Sequence, residues 1–285
     1  MTPEEKMLAS LRAVARSAPP KLSGFALWLL EHWHEIAFSS IRGLAHKADV
    51  DPNLVTRLSR ELGYDGFDAF RDEVRQLLQS QTPSYGARAR ALQSLADADV
   101  YSSVIAANRE NLDRVTSPAG LQLIDSCITP LLEARRIYSI GVRSCYSVAH
   151  YMSYVGNMAF ENFEPVPQVP GAILDQVSGT TPEDIVIGIT YEHYSSEVVR
   201  ACQIARDRGA RILALTDSHN SPIAVDAWKV IRLPMTGPHL MPSLNSAFLV
   251  VELILAAMTA RSTKAATQIA QFEERISGYG GYVRS

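Results

Sequence analysis

Cysteine is scarce in this chain: three among 285 residues, Cys127, Cys145 and Cys202. Their number and spacing exclude a disulfide framework and a C-x-x-C metal site, and mark them as small buried residues of a reducing compartment. Long apolar runs are missing too. The longest, residues 247–260, is interrupted by Glu252 and falls short of the roughly 20 residues that a bilayer crossing needs, so a buried helix is expected there. Nor is there an excess of positive charge, since 27 Lys and Arg stand against 30 Asp and Glu for a net charge of −3. Proteins that coat nucleic acid indiscriminately draw affinity from a dense basic surface that releases counterions, and that class is excluded. The acidic opening Met1-Thr2-Pro3-Glu4-Glu5-Lys6 has neither the basic flank nor the apolar stretch of an export signal. A cytoplasmic protein without membrane contact is the expectation.

What is present reads as two domains. Helical periodicity runs to about Leu78 and is broken by the polar, proline- and glycine-bearing stretch Gln79-Ser80-Gln81-Thr82-Pro83-Ser84-Tyr85-Gly86. Residues 1–79 are therefore expected as an all-α domain, 80–96 as a linker and 97–285 as a second domain. The second opens with helices over 97–115 and 118–133. Short β-branched runs then alternate with amphipathic segments, the signature of a parallel sheet with helices on both faces. Five strands are predicted, at 137–140, 164–169, 185–190, 211–216 and 230–233. Helices are predicted at 146–160, 172–178, 195–208 and 222–227, followed by a long one over 243–261 and a shorter one to 276. In such an α/β fold a ligand sits beyond the carboxyl ends of the strands.

Within the first domain, Ser40 to Ala48 has helical spacing, with Ile41, Leu44, Ala45 and Ala48 on one side. Asp51-Pro52 is a strong helix start, an N-cap acceptor followed by a proline where a missing N–H does no harm. The helix that follows, residues 52–62, is stopped by Gly63. Val55, Leu58 and Leu62 fall at i, i+3 and i+7 and should face inward. Asn53, Leu54, Thr56, Arg57 and Arg60 are left on the other face. These side chains suit a helix lying in the major groove: arginine pairs with guanine or phosphate, asparagine reads adenine, and leucine touches a thymine methyl. The alternative is a short surface helix with a mixed polar face.

The run from Ser40-Ile41 through Leu44-Ala45 and Val50 to Leu62-Gly63-Tyr64-Asp65-Gly66-Phe67 resembles the helix-turn-helix of RpiR-type transcriptional regulators, whose recognition helix ends in Leu-Gly-Phe/Tyr-x-Gly-Phe. Two positions depart from that pattern. Asp49 stands where the turn usually has glycine, and Asp51 where serine is usual; aspartate tolerates left-handed backbone angles and caps helices well. The first 80 residues hold ten Lys and Arg against eleven Asp and Glu, so two copies are needed for useful affinity. An inverted-repeat operator, read by a homodimer or by a tetramer, is expected.

The later half, residues 121–261, resembles the SIS (sugar isomerase) domain that these regulators carry. Gly141-Val142-Arg143-Ser144 is similar to the family's Gly-x-Gly-x-Ser loop. Thr190-Tyr191-Glu192-His193-Tyr194-Ser195-Ser196-Glu197 stands where Ser-x-Ser-Gly-x-Ser/Thr-x-Glu is usual, and Asp217-Ser218 with Ser221-Pro222-Ile223-Ala224 matches a third landmark. The resemblance implies an effector pocket formed by Gly141, Arg143, Ser144, Thr190, Tyr191, Glu192, His193, Ser195 and Ser196. Loops of this kind gather hydroxyls and free amides around a phosphate. Glu192 conflicts with that use, because a like-charge pair at 4 Å costs about 4 kcal/mol at an effective dielectric near 20. Glu192 must point away, be protonated, or belong to a site that no longer takes phosphate. The last reading makes the effector a non-phosphorylated metabolite bearing hydroxyl or amine groups; a sugar phosphate is the other. Glu192 would accept its hydrogen bonds, His193 would shape the pocket, and Arg143 would pair with a carboxylate.

No cofactor is implied, and His193, His219 and His239 lack metal-ligand spacing. The competing function is a sugar-phosphate isomerase-like enzyme with a helical appendage, using Glu192 and His193 as acid-base groups. It leaves the polar face of the 52–62 helix without a purpose. The helix over 243–261 carries more apolar surface than one domain face needs, so a second subunit is expected to cover part of it.

Overall fold

A computed structural model describes residues 3–81, 83–169 and 171–281. The chain divides into two compact units, Met1–Pro83 and Ser84–Ser285.

The first unit is all helical: α1 (Pro3–Ser17), α2 (Pro20–His32), a 3₁₀ turn (Trp33–Ala37), α3 (Ile41–Lys47), α4 (Pro52–Glu61) and α5 (Phe67–Gln81). Met7, Leu11 and Val14 of α1 fall three and four residues apart and join Leu22, Phe25 and Leu29 of α2, Leu44, Val55, Leu58, Phe70 and Val74 in one apolar core. Two polar contacts fasten the 3₁₀ turn to its neighbours. Arg75 Nε donates to the Ala37 carbonyl at 2.7 Å, and Lys47 Nζ pairs with Glu35 at 2.6 Å.

The second unit contains α6 (Tyr85–Gln93), α7 (Asp97–Val115), α8 (Pro118–Glu133), β1 (Ile137–Gly141), α9 (Cys145–Ala159), β2 (Phe163–Glu164), α10 (Ala172–Ser178), β3 (Ile185–Ile189), α11 (Ser196–Asp207), β4 (Arg211–Thr216), β5 (Lys229–Arg232), α12 (Asn245–Arg261) and α13 (Ala265–Gly278). The five strands form a sheet in the order β2-β1-β3-β4-β5, with every pairing parallel. Both faces are covered, as the strand sequences require. Ile185, Ile187, Leu213 and Leu215 pack with Ile128, Val148, Met152 and Ile254 on one side. On the other, Ile140, Val186, Ile212 and Ala214 meet Val177, Val198 and Ala201. The period of two in the strands thus feeds two separate cores.

Three expectations change. β2 spans two residues rather than 164–169, because Pro165 and Pro167 lack the N–H that a ladder needs. Residues 222–227 form turns, not a helix: Ala224 N–H reaches Ser221 O and Ala227 N–H reaches Ala224 O, with Asp226 at φ 52°, and no i→i−4 ladder develops. Residues 85–93, read as linker, are helix α6, capped where Ser84 Oγ accepts the Ala87 N–H at 3.2 Å. Helix α12 is buried in large part within its own chain. Val250, Val251, Ile254, Leu255 and Met258 are buried, Phe248, Leu249 and Leu253 pack on the same core while staying partly exposed, and α7, α8 and α9 pack against it.

No single helix among the described residues is long and apolar enough to cross a membrane. The three cysteines are free and buried.

Candidate functional site

In the first unit, α3 and α4 make the expected turn. Ser40 Oγ accepts the Gly43 N–H at 3.0 Å, and Asp51 Oδ1 accepts the Asn53 N–H at 2.8 Å. Between them Asp49 adopts φ 52°, the left-handed region that favours glycine, so aspartate here carries a backbone cost. Gly63, at φ 91°, ends α4 while its N–H reaches Arg60 O and Tyr64 N–H reaches Ser59 O, a left-handed helix stop. Tyr64 then stacks on Phe70 with ring centroids 4.8 Å apart. Burial, helped by Glu73, pushes its phenol up to about 12.

On α4, Val55 and Leu58 are buried, Leu62 packs against the same core, and Ser59 is buried with its hydroxyl donating to Val55 O at 2.9 Å. Asn53, Arg57 and Arg60 are exposed; Thr56 and Leu54 are half-buried. Leu54 leans on the core, so a strip of three long polar side chains is what the helix presents.

Asp49→Gly is expected to raise the unfolding free energy by about 0.5–1 kcal/mol, since glycine enters the left-handed region freely. Urea denaturation measures this; a lowered midpoint would contradict it.

In the second unit, the strand order reverses between β1 and β3, which is where a crevice opens beyond the strand ends. A Cβ on Gly141 would collide with the Cys145 carbonyl, so only glycine lets β1 turn this closely into α9. Arg143 follows at φ 53° and is exposed. Ser144 Oγ and Tyr191 OH lie 2.5 Å apart, joining the β1 and β3 loops across the crevice.

Two amides of the β3 loop are bonded to side chains close by. Thr190 Oγ1 accepts the Ser195 N–H at 3.1 Å, and Asp217 Oδ2, from the end of β4, accepts the Glu192 N–H at 3.3 Å. Asp217 also accepts a hydrogen bond from Tyr194, whose phenol is pushed well up, first by burial and then by Asp217 and Glu192. Burial, again beside Asp217, raises the Cys145 thiol to about 12. Two of the amides near a phosphate site are therefore already bonded, one of them to a carboxylate.

Of the residues singled out from sequence, Ser144 and Tyr191 are joined by a hydrogen bond, as are Thr190 and Ser195, and Gly141 pairs with Ile189 at the end of the β1–β3 ladder. Glu192 is half-buried beside them, whereas Arg143, His193 and Ser196 are exposed at the rim. The His193 ring meets Tyr85 of α6 edge-on at 5.8 Å. Asp217 and Tyr194 are not among the expected pocket residues, yet their hydrogen bonds tie this loop to the end of β4. Only the Thr-Asp landmark at 216–217 could have flagged the first. Among the described residues no three His, Cys, Asp or Glu side chains gather as a metal site requires.

The family model described as "Helix-turn-helix domain, rpiR family" matches residues 6–81, and the one described as "SIS domain" matches residues 130–260. The HTH-type transcriptional regulator HexR of Escherichia coli (strain K12) is 27% identical over 199 residues, covering 68% of this chain and 66% of that protein. The chain spans about two thirds of the length of the first curated relatives it matches. Among solved structures, the Vibrio vulnificus NanR protein complexed with ManNAc-6P has a TM-score of 0.57 at 20% identity, over 95% of this chain and 98% of that one. The sugar isomerase domain of an RpiR transcription factor from Sphaerobacter thermophilus has a TM-score of 0.56 at 23% identity, over 62% of this chain and 98% of that one. At these identities the structures share the fold. Carrying an rpiR-family helix-turn-helix followed by a SIS domain, the chain belongs to the RpiR-type transcriptional regulators.

Proposed function

We propose that this regulator binds an inverted-repeat operator as a cytoplasmic homodimer, reads it with Asn53, Arg57 and Arg60 of α4, and senses a hydroxyl- or amine-bearing metabolite that lacks a phosphate. The observation that carries the effector reading is the Asp217 carboxylate on the Glu192 amide. A bound phosphate would have to displace a like charge that already holds the donor. Glu192, half-buried beside the Ser144–Tyr191 pair, supplies an acceptor suited to hydroxyls or an ammonium group. Tyr101 and Ile105, exposed one turn apart on α7, and Leu240 and Met241, exposed in the loop before α12, support pairing of two copies through apolar surface.

A second reading, that the effector is a sugar phosphate, is favoured by the bound ManNAc-6P of the NanR structure. A thermal-shift screen of hexoses and amino sugars, with and without a 6-phosphate, separates the two. A non-phosphorylated ligand is expected to raise the melting temperature, with affinity falling roughly tenfold in Glu192→Ala as one charge-assisted hydrogen bond is lost. Strong stabilisation by a hexose or amino-sugar phosphate, undiminished in Glu192→Ala, overturns the proposal.

A further inference from the structure

Among the described residues α9 is the only helix without a single Lys, Arg, Asp or Glu. Its inner face, which includes Val148, Met152 and Ala159, is buried in the sheet core. Ser147, His150, Tyr154 and Asn157, at spacings of three, four and three, are exposed. A helix face turned to water is normally the charged one, and 20% of this chain is charged. Burial within its own chain does not account for the missing charge, because these four side chains are not buried.

The rings on this face are already ordered. Tyr146 stacks on His150 with centroids 5.7 Å apart, and His150 stacks on Tyr154 at 6.0 Å, with interplanar angles of 11° and 19°. Tyr154 nevertheless remains 52% exposed. Rings held in one geometry before contact lose little freedom on binding, and the cores of protein interfaces are poor in charge and rich in tyrosine. The occupant follows from the same neutrality. A two-fold contact sets one patch against itself, where a charged patch would meet its like and a neutral one does not. The spacing of three, four and three also reads the same in both directions along the helix, so an antiparallel copy brings His150 onto the partner subunit's Tyr154. At 15 residues α9 is about 22 Å long, too narrow a strip alone to supply the roughly 800 Å² per partner of a stable interface. Helix α13 packs against it, and past Ile269, which reaches the core, it carries Phe272 and Ile276 one turn apart and half-buried.

We propose that α9 is the two-fold contact between copies of this chain: its 147–157 face packs antiparallel on the same face of a second copy, and α13 widens the contact. This rests on the homodimer reading above and names the surface that makes it.

The test is sedimentation equilibrium of the full chain without DNA. It compares wild type, an acidic variant (His150→Glu with Tyr154→Glu), a basic variant (His150→Lys with Tyr154→Lys) and an equimolar mixture of the two. The wild-type mass is expected to be halved in each variant alone, with the dissociation constant raised on the order of a hundredfold or more. It is regained in the mixture, where acid faces base. Thermal melting followed by circular dichroism checks that each variant is folded. A double variant, His150→Cys with Tyr154→Cys, tests the same face without adding charge. Because the three native cysteines are buried, a disulfide-linked dimer formed under mild oxidation reports the introduced pair. Wild-type mass in both charged variants overturns the α9 contact and leaves the homodimer standing, whereas a monomeric wild type overturns both. A halved mass that the mixture does not regain, with no cross-linked dimer, shows that the face does not meet itself and overturns the proposal. Halving in Tyr101→Lys but in neither α9 variant moves the contact to α7 and overturns it as well.

Discussion

Replacing Arg57 and Arg60 together by alanine is expected to abolish operator retention at physiological salt while leaving the melting temperature of the protein unchanged. Each arginine that pairs with a guanine edge or a phosphate is worth about 1–3 kcal/mol, and a two-fold dimer loses each contact twice. Both side chains are exposed, so nothing in the core is disturbed. Fluorescence anisotropy across a salt series distinguishes the roles. Loss of a phosphate contact flattens the slope of log K against log salt by about one per contact, whereas loss of a base contact relaxes sequence preference. Retention of operator affinity by the double variant would remove α4 as the reading helix.

The largest stability effect is expected at Asp184. This carboxylate is fully buried at the start of β3, where it accepts the Thr181 N–H at 2.8 Å, the Thr181 hydroxyl at 3.1 Å and the Arg135 guanidinium at 2.5 Å. Its own carbonyl receives the Arg211 N–H at 3.1 Å, so one residue sets where β3 and β4 begin. Asp184→Ala leaves the Thr181 donors without their acceptor and opens a polar void, at a cost of about 3 kcal/mol. That corresponds to a fall of roughly 6–12 °C in melting temperature for a domain of this size. Urea unfolding followed by far-UV circular dichroism measures it, and a midpoint within error of wild type would show that the turn holds without its acid.

The two-unit architecture was legible because its signals are local. Asp51-Pro52 and Gly63 bracket α4 by capping chemistry alone, and the apolar runs at β1, β3 and β4 leave no solvent-facing side for a helix to use. Where sequence reading went astray, competing local chemistry was underweighted. The β-branched residues after Glu164 suggest a strand, yet two prolines cancel the ladder. Pro222 to Ala227 has helical composition, but its bonds close three residues back rather than four. The pocket was half legible. Ser144 and the 190–196 loop follow from strand-end position, whereas the Asp217 contact to Glu192 joins residues from two different strand ends. No periodicity encodes such a contact; only the assembled sheet brings it together.

The margins of the sheet have a consequence for how copies of this chain meet. At one border the final strand is two residues long and is followed at once by prolines; at the other, Lys229 and Arg232 flank the ladder. Prolines withhold donors and cations repel an approaching backbone of like kind, so neither border recruits a foreign strand. Sheet-to-sheet polymerisation, the common hazard of exposed strand edges, is thereby disfavoured by the sequence of the borders themselves.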